Sequence, residues 1–295
     1  MGRHFHSPLG GDILDYSKHQ SKERGTEVST ASSNGVSGSN YMWRRWTKSR
    51  VTQADYRATR QVLLEELAPA RQDRVLEIGC GPGTWTHEVA PLVACVVAVE
   101  MSESRSKEAR SYTAGMPVEV IHGDFMQAPL TGEFTKVFSA RAIEYILDVE
   151  GMAAKIAGLL APGGTVVLIT KTRFSIWRGR MRLLERRLHK RPASELGMGA
   201  QRLLSPGQLI RAFAPHGVRP LRVRPVVLRP PLFKGGFHEL PVIPDSVAGP
   251  VLAVSDAVFR MTSHPPMALA AVPLALTESY AITFRKQGAP EDAPA

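Results

Sequence analysis

The sequence predicts an α/β protein built on a doubly wound, mostly parallel sheet. Apolar runs of about five residues alternate along the chain with segments of helical periodicity. A glycine-rich turn, Gly79-x-Gly81-x-Gly83, joins the first apolar run to the first helical segment. Strand, tight turn and helix start, in that order, form the nucleotide-binding unit of doubly wound sheets. The 295 residues, of which 43% are hydrophobic, suffice for one large domain with appendages.

The first strand and its turn carry an acidic residue that narrows the choice of ligand. The apolar run 75–78 stops at Gly79, and Trp85 opens the helical pattern that follows. Glu77 lies two residues before Gly79. A carboxylate there would oppose the pyrophosphate of a dinucleotide, which needs positive potential. It would suit a ligand that carries an ammonium group.

With Glu77 ahead of it, the turn reads acidic-x-Gly-x-Gly-x-Gly. This pattern resembles the first motif of the class I, Rossmann-like, S-adenosylmethionine-dependent methyltransferases, and the whole chain is most similar in pattern to their small-molecule, lipid and quinone-type members. The resemblance covers residues 75–170 well and the C-terminal sheet loosely. It implies S-adenosylmethionine as cofactor and a seven-stranded sheet in the order 3-2-1-4-5-7-6, with the last strand antiparallel. It also implies cofactor contacts from Glu77, Gly79, Cys80, Gly81, Gly83 and Thr84.

The second strand, residues 95–99, is followed by Glu100 and Met101. Glu100 lies 17 residues beyond Gly83, close to the offset at which an acidic side chain accepts hydrogen bonds from both ribose hydroxyls. We therefore predict that Glu100 binds the ribose of the cofactor and that Met101, beside it, also contacts the cofactor.

The third strand, residues 118–122, leads into Asp124 and Phe125. The resemblance implies that Asp124 meets the adenine amino group and that Phe125 packs on the adenine ring. His122, the last residue of this strand, is retained as a candidate base. The simpler interpretation of His122 is a strand residue that faces a neighbouring helix.

The fourth strand, residues 136–140, ends at Arg141, and Glu144 and Tyr145 follow at the predicted start of a helix. Ligands of open α/β sheets bind beyond the carboxyl ends of the strands. Arg141 is therefore predicted at the methionine end of the cofactor or at the acceptor. Glu144 and Tyr145 are candidate catalytic residues, and a purely structural role for each is an equal alternative.

The remaining elements follow from periodicity and turn residues. A helix over 151–160 ends in Leu-Ala-Pro-Gly-Gly before a fifth strand, 165–170, and this turn is another trait of the resembled family. A further helix runs from Ser205 to about residue 214. The sixth and seventh strands are predicted at 219–228 and 279–284.

The predicted domain spans residues 73–287 and is flanked by disordered tails, 1–40 and 288–295. Residues 41–72 are predicted as a helical lid, and a helix that caps the sheet is the alternative. The lid interpretation rests on aromatic side chains interleaved with arginines and lysines between 41 and 50.

Two insertions are predicted to form a helical cap over the site. The first, 171–204, contains a basic amphipathic helix. It is open to three interpretations: a solvated cationic face, a surface for anionic lipid, or an RNA-binding patch. The second, 230–277, is apolar and rich in proline, and a long insertion of this kind is usually functional.

The formal charge of +10 and the pI of about 9.9 favour anionic partners. No apolar run reaches the roughly 18 residues of a membrane span, and the N-terminus lacks an apolar leader. We expect a cytoplasmic protein that contacts membranes only at their surface. The two cysteines form no metal-like cluster, so no metal site is predicted.

The predicted activity is methyl transfer to oxygen or carbon of an apolar or anionic small molecule, lipid-like or quinone-like. No Asn-Pro-Pro-Tyr-like sequence follows the fourth strand, which disfavours methylation of amino groups. An RNA methyltransferase and a non-catalytic, cofactor-binding partner subunit are the alternatives. The sequence leaves the oligomeric state open.

Overall fold

The computed structural model describes residues 50–172, 202–226 and 279–288, with scattered residues between 249 and 277. The predicted tails, the aromatic-basic stretch before residue 50 and most of both insertions, and with them the helical cap, lie outside the described residues. The described strands are Arg74–Ile78 (β1), Cys95–Glu100 (β2), Val118–His122 (β3), Phe134–Ala140 (β4), Leu160–Lys171 (β5), Val218–Pro225 (β6) and Ser279–Lys286 (β7). The described helices are Arg50–Leu67 (α1), Thr84–Val89 (α2), Glu103–Tyr112 (α3), Val149–Leu159 (α4) and Pro206–Phe213 (α5).

These strands form one sheet in the order β3-β2-β1-β4-β5-β7-β6. Strands β1 to β5 pair in parallel, and β7 is antiparallel to both of its neighbours. The predicted order and orientation are confirmed. The chain runs outward from β1 to β3 and then returns to place β4 on the other side of β1. A ligand is expected outside the carboxyl ends of the strands at this reversal.

Helices cover both faces of the sheet. On one face, the rings of Phe213 in α5 and Phe284 in β7 lie 4.6 Å apart, and Met152 of α4 belongs to the same core. Successive strand residues point to opposite faces. Thr283, the neighbour of Phe284, therefore points to the other face, where its hydroxyl donates a hydrogen bond of 2.6 Å to Glu66 of α1. Helices thus lie on both faces, which is the doubly wound arrangement.

A buried ionic cluster holds α1 to the last two strands. The Glu66 carboxylate, with 8% exposure, interacts with Arg224 Nη1 at 3.3 Å and with the Thr283 hydroxyl. Arg224 is buried as well, and its Nη1 lies 2.6 Å from Glu65 Oε2. Breaking a buried ion pair leaves an uncompensated charge, so the cluster fixes α1 on the sheet. The described part of the predicted lid segment thus packs as a helix against the sheet, while a lid role for residues 41–49 stays a prediction.

The stretch after β4 differs from the predicted one. Glu144 and Tyr145 do not begin a long helix but lie in a single 3₁₀ turn, Ile143–Tyr145. Helix α4 begins only at Val149, because Asp148 is extended and its Oδ1 accepts a 2.8 Å hydrogen bond from an amide of the first turn. The cap residue thereby separates the two candidate bases from the helix.

Both insertions leave and return at one edge of the sheet. The basic segment follows Lys171 at the end of β5, and the chain returns where the Arg202 amide donates to the Glu144 carbonyl at 2.7 Å. The apolar segment follows β6 and ends beside it, since the Val226 amide donates to the Ser279 carbonyl at 3.0 Å. The carboxyl ends of β1 to β5 lie at this same end of the sheet. Both insertions therefore attach at the end where a ligand is expected.

Two features are not found in the described part of the chain. No helix there combines the length and apolar character that crossing a membrane requires. No group of three or more His, Cys, Asp or Glu side chains there could hold a metal ion. The histidines of the N-terminal tail lie outside the described residues.

Candidate active site

The glycine turn lies at the carboxyl end of β1. Gly79 has a φ of +72°, and a Cβ added to it would lie 2.2 Å from the Cβ of Ala142. The amides of Gly79 and Cys80 donate to the Val99 carbonyl at 2.8 and 3.1 Å, which ties the turn to β2. Gly79 therefore allows the turn to pack directly against the segment that follows β4.

Gly81 meets different surroundings. Its φ is +56°, and a Cβ added to it would meet no atom within 4 Å. Its amide donates to Glu100 Oε2 at 2.8 Å. Open space in front of a left-handed glycine lets a ligand approach the backbone closely. A Cβ added to Gly83 would instead lie 3.2 Å from the Cα of Ala109, so the absence of a side chain at Gly83 leaves room for helix α3.

Glu77 is a buried carboxyl beneath this turn. Its exposure is 1%, and the Thr86 hydroxyl donates to its Oε2 at 2.5 Å. Its second oxygen, Oε1, has no hydrogen-bond partner among the described residues. Burial raises the pKa of Glu77 to about 8; the Thr86 hydrogen bond opposes this rise and the charge of Glu100 adds to it. Because an unsatisfied buried acceptor is costly, this oxygen suits a cationic nitrogen supplied by a ligand.

Glu100 links the glycine turn to the end of β2. It is 7% exposed, and its two oxygens accept hydrogen bonds from the amides of Gly81 and Ser102 at 2.8 and 2.9 Å. Each carboxylate oxygen can accept a second hydrogen bond, so the carboxylate can also take ligand hydroxyls. Met101, 67% exposed, lies next to it in the chain.

The residues at the end of β3 fall into two groups. Asp124 is exposed, and its Oδ1 accepts a 2.9 Å hydrogen bond from the amide two residues further on. His122 is exposed too, with Nε2 3.2 Å from the carbonyl oxygen of Met101. Phe125 is only 5% exposed and belongs to the hydrophobic core, with Lys155 Nζ 5.2 Å from its ring centroid. Phe125 thus serves as a core residue, and its packing on an adenine ring stays a prediction.

Cys80 and Thr84 stand at the two ends of the turn. Cys80 is 4% exposed, and burial raises the pKa of its thiol, which therefore stays protonated. Thr84 is the first residue of α2 and is half-buried. Contacts of these two residues with the cofactor stay predictions.

Arg141 leaves β4 with a left-handed backbone, at a φ of +63°. Its amide donates to the Ile169 carbonyl at 2.7 Å, which holds this conformation against β5. Non-glycine residues in this region are strained, and such residues cluster at ligand sites. This backbone strain supports the prediction that Arg141 lies at the methionine end of the cofactor or at the acceptor.

The two candidate bases after β4 differ in exposure. Glu144 is fully buried. Burial raises the pKa of Glu144, and this rise is opposed by hydrogen bonds from the backbone amides of Glu144 and Lys171 and by the positive charges of Lys171 and Arg141. Tyr145 is 41% exposed. Glu144 is thus the more unusual of the two groups.

Sequence reasoning misses two residues of this site. Thr86 binds Glu77 through its hydroxyl, and Ala142 provides the small surface against which Gly79 packs. Both contacts join segments that are separate in sequence. A short polar side chain in α2 and an alanine after β4 carry no signal of their own.

The acidic side chains define the class of ligand. Glu77, Glu100 and Asp124 lie at or just beyond the carboxyl ends of β1, β2 and β3, which are neighbours in the sheet. S-adenosylmethionine offers an ammonium group, a ribose diol and an adenine amino group, and it carries no phosphate. The unpartnered oxygen of Glu77 and the open space at Gly81 fit such a ligand.

Comparisons with known proteins agree with this assignment. A family model described as a methyltransferase domain matches residues 75–164. The chain is 31% identical over 109 residues to an uncharacterized methyltransferase of Mycobacterium tuberculosis, covering 37% of this chain and 55% of that protein. It is 33% identical over 110 residues to the ubiquinone biosynthesis O-methyltransferase of Thiobacillus denitrificans, covering 36% of this chain and 47% of that protein. The chain therefore spans about half the length of the curated relatives it matches.

The fold is also similar to a solved structure, an S-adenosylmethionine-dependent methyltransferase from Mesorhizobium loti. The TM-score is 0.51 at 18% identity, over 79% of this chain and 98% of that one. The family match contains the glycine turn and its acidic partners, and the structural likeness extends the agreement to the sheet. Residues 75–164 thus match a methyltransferase domain, and the described sheet has the fold of this S-adenosylmethionine-dependent methyltransferase.

Proposed function

We propose that the protein transfers a methyl group from S-adenosylmethionine to an oxygen or carbon atom of an apolar or anionic small molecule, lipid-like or quinone-like. The observation that carries the cofactor half of this proposal is the buried, unpartnered Oε1 of Glu77 beneath the glycine turn. A ligand ammonium group at this oxygen would supply the missing hydrogen bond. It would also return the pKa of Glu77 toward its ordinary value.

The other cofactor contacts follow from the donors and acceptors at the strand ends. Glu100 would accept hydrogen bonds from the ribose hydroxyls, Asp124 would accept one from the adenine amino group, and the backbone at Gly81 would lie against the ligand. When bound, the cofactor supplies a methyl group already activated by a sulfonium. The chain then has to orient the acceptor and exclude water, which can lower the barrier by roughly 7–11 kcal/mol.

The acceptor half of the proposal rests on composition and topology. The basic segment between β5 and residue 202 and the apolar segment between β6 and β7 both join the sheet at the edge of the site. Cationic and apolar segments together suit an acceptor with an apolar body and an anionic group. Contact with an anionic membrane surface would bring such an acceptor to the site. The name of the Thiobacillus relative, an O-methyltransferase of quinone biosynthesis, points in the same direction.

The test uses methyl-labelled S-adenosylmethionine, the purified protein and an extract of the source organism. The products are separated into organic, RNA, protein and aqueous fractions. Gly81→Arg is the inactive variant, because its side chain would occupy the open space in front of the turn. Gly115→Arg is the matched control: Gly115 also has a positive φ and open surroundings, but it precedes β3 at the opposite edge of the sheet.

We expect label in the organic fraction with the wild type and with Gly115→Arg, and none with Gly81→Arg. Label in RNA alone would replace the small-molecule acceptor with RNA. Cofactor binding without label in any fraction would support a non-catalytic partner subunit instead. Failure of the wild type to bind the cofactor would refute the proposal as a whole.

A further inference from the structure

We propose that Lys155 of α4 positions Asp124 for the amino group of the cofactor's adenine, and that it thereby contributes to the selection of adenine. The inference rests on the proposed function, in which Asp124 accepts a hydrogen bond from that amino group. Lys155 acts through the segment that follows β3, residues 124–128, which we call the β3 turn. It is a positioning residue, because it contacts the turn that carries Asp124.

The amides of the β3 turn converge on Asp124. Its Oδ1 accepts a hydrogen bond from the Met126 amide at 2.9 Å, and its backbone carbonyl accepts two more, from the amides of Gln127 at 3.0 Å and Ala128 at 2.8 Å. A carboxylate that accepts from an amide two residues further on is held in one orientation relative to its own backbone. Because a carboxylate has two oxygens, the second one can still accept a hydrogen bond from a ligand. The direction of that second oxygen therefore depends on the turn.

The carbonyl groups of the same turn face Lys155. Its Nζ donates to the carbonyl oxygens of Met126 at 3.2 Å and Ala128 at 2.8 Å. It also lies 5.2 Å from the centroid of the Phe125 ring, within the range of a cation–π interaction. One ammonium group thus contacts three of the four residues that follow Asp124. The β3 turn is therefore held from two sides, by Asp124 through its amides and by Lys155 through its carbonyls.

The charges of Lys155 and Asp124 also act on each other. Partial burial lowers the pKa of Lys155, and the negative charge of Asp124 opposes this decrease. The hydrogen bonds of the ammonium group to the turn are made to carbonyl oxygens. Lys155 thus attracts the exposed carboxylate of Asp124 while it directs these donors to the backbone, which leaves the carboxylate to the ligand.

The hydrophobic core determines where Lys155 lies. Its neighbours in α4, Met152, Ala153 and Ile156, are fully buried there. Groups whose supporting residues are locked by packing hold a ligand site in place more precisely than a loop does by itself. Strand β3 is the outermost strand and has a neighbouring strand on one side only. The β3 turn therefore depends on an anchor from a helix more than the turns after β1 and β2 do.

The test compares two ligands that differ only at the adenine amino group. These are S-adenosylhomocysteine and its deamino analogue, in which a hydrogen atom replaces the amino group. Calorimetry gives both dissociation constants, and their ratio is the selectivity. The wild type should bind S-adenosylhomocysteine about tenfold or more tightly than the analogue, as expected for a hydrogen bond to a charged group. Asp124→Asn should abolish this preference, because it keeps an oxygen for the Met126 amide but presents an NH2 group to the ligand.

Lys155→Met should lower the selectivity about threefold or more, because the carboxylate is then less well oriented, and it should bind the analogue as the wild type does. Lys155→Arg keeps the positive charge and several donors, so it should retain the wild-type selectivity. In the Asp124→Asn background, Lys155→Met should have no further effect on the selectivity. Lys107→Met, a change at an exposed lysine of α3, is the matched control. Lys155→Gln, which keeps one donor group, should show a smaller loss and supplies the comparison if Lys155→Met does not fold.

Equal weakening of both ligands by Lys155→Met would show that Lys155 supports only the fold, and it would overturn the inference. Unchanged selectivity in Lys155→Met and Lys155→Gln would overturn it too, as would a wild type that binds both ligands equally well. Each of these results leaves methyl transfer from the labelled cofactor, and with it the proposed function, intact. Failure of the wild type to bind S-adenosylhomocysteine would instead refute the proposed function.

Discussion

Binding of S-adenosylmethionine should release a proton from Glu77. The pKa of this carboxyl is about 8 because of burial, so at a pH of about 6.5 it is almost fully protonated in the free protein. The ammonium group of the cofactor favours the ionised carboxylate. Close to one proton should therefore leave the protein for each cofactor molecule bound, and the affinity should rise with pH up to about 8.

Isothermal titration calorimetry in buffers of different ionisation enthalpy counts this proton. Glu77→Gln should release none and should bind the cofactor about 10- to 100-fold more weakly, the range expected for loss of a charge-assisted hydrogen bond. Glu119→Gln, an exposed substitution in β3, is the matched control. Wild-type binding without proton release, or equal proton release by Glu77→Gln, would refute the assignment of Glu77 to the ammonium group.

The same carboxyl makes the cofactor-free protein sensitive to pH. Its pKa in the folded protein, about 8, exceeds the ordinary value of 4.5. As the pH rises, Glu77 therefore ionises in the unfolded chain before it ionises in the folded protein, and the free energy of unfolding decreases between these two pH values. At pH 7 the loss amounts to about 3 kcal/mol, taking 1.36 kcal/mol per pH unit over about 2.5 units. Glu77→Gln should recover most of this free energy of unfolding in denaturant titrations without cofactor. An equal pH dependence for wild type and variant would contradict the burial argument.

Two further predictions concern the fold that supports the site. Gly79→Ala should lower the free energy of unfolding, measured in urea, by about 2–4 kcal/mol, because its Cβ would overlap Ala142. The control Gly115→Ala, with a similar φ and open surroundings, should lower it by about 1 kcal/mol. Equal losses would contradict the close packing of Gly79 on Ala142. Arg224→Met should cost about 3–5 kcal/mol because it leaves Glu66 charged and less well paired in the interior, and a loss below about 1 kcal/mol would show that the cluster does not hold α1 in place.

The sequence by itself determined the elements and the class of ligand. Strand β3 has the predicted bounds, and β2 and β7 begin at the predicted residues, because apolar periodicity and turn residues act within a few positions. The glycine spacing and Glu77 are likewise local, and they sufficed to separate a cofactor with an ammonium group from a dinucleotide. The strand order could be predicted because the motif resembles a family with one topology.

Only the tertiary structure decided which of these residues are buried and what they contact. The sequence predicts that Glu144 begins a helix. In the structure it lies in a 3₁₀ turn, because the helix begins only after Asp148, and it is fully buried. Phe125 is predicted as a ligand contact, and the structure adds that it packs in the hydrophobic core. The partners of Glu77 and Gly79 come from α2 and from the segment after β4. Burial and pairing depend on how distant segments meet, and no local pattern in a single sequence encodes that meeting.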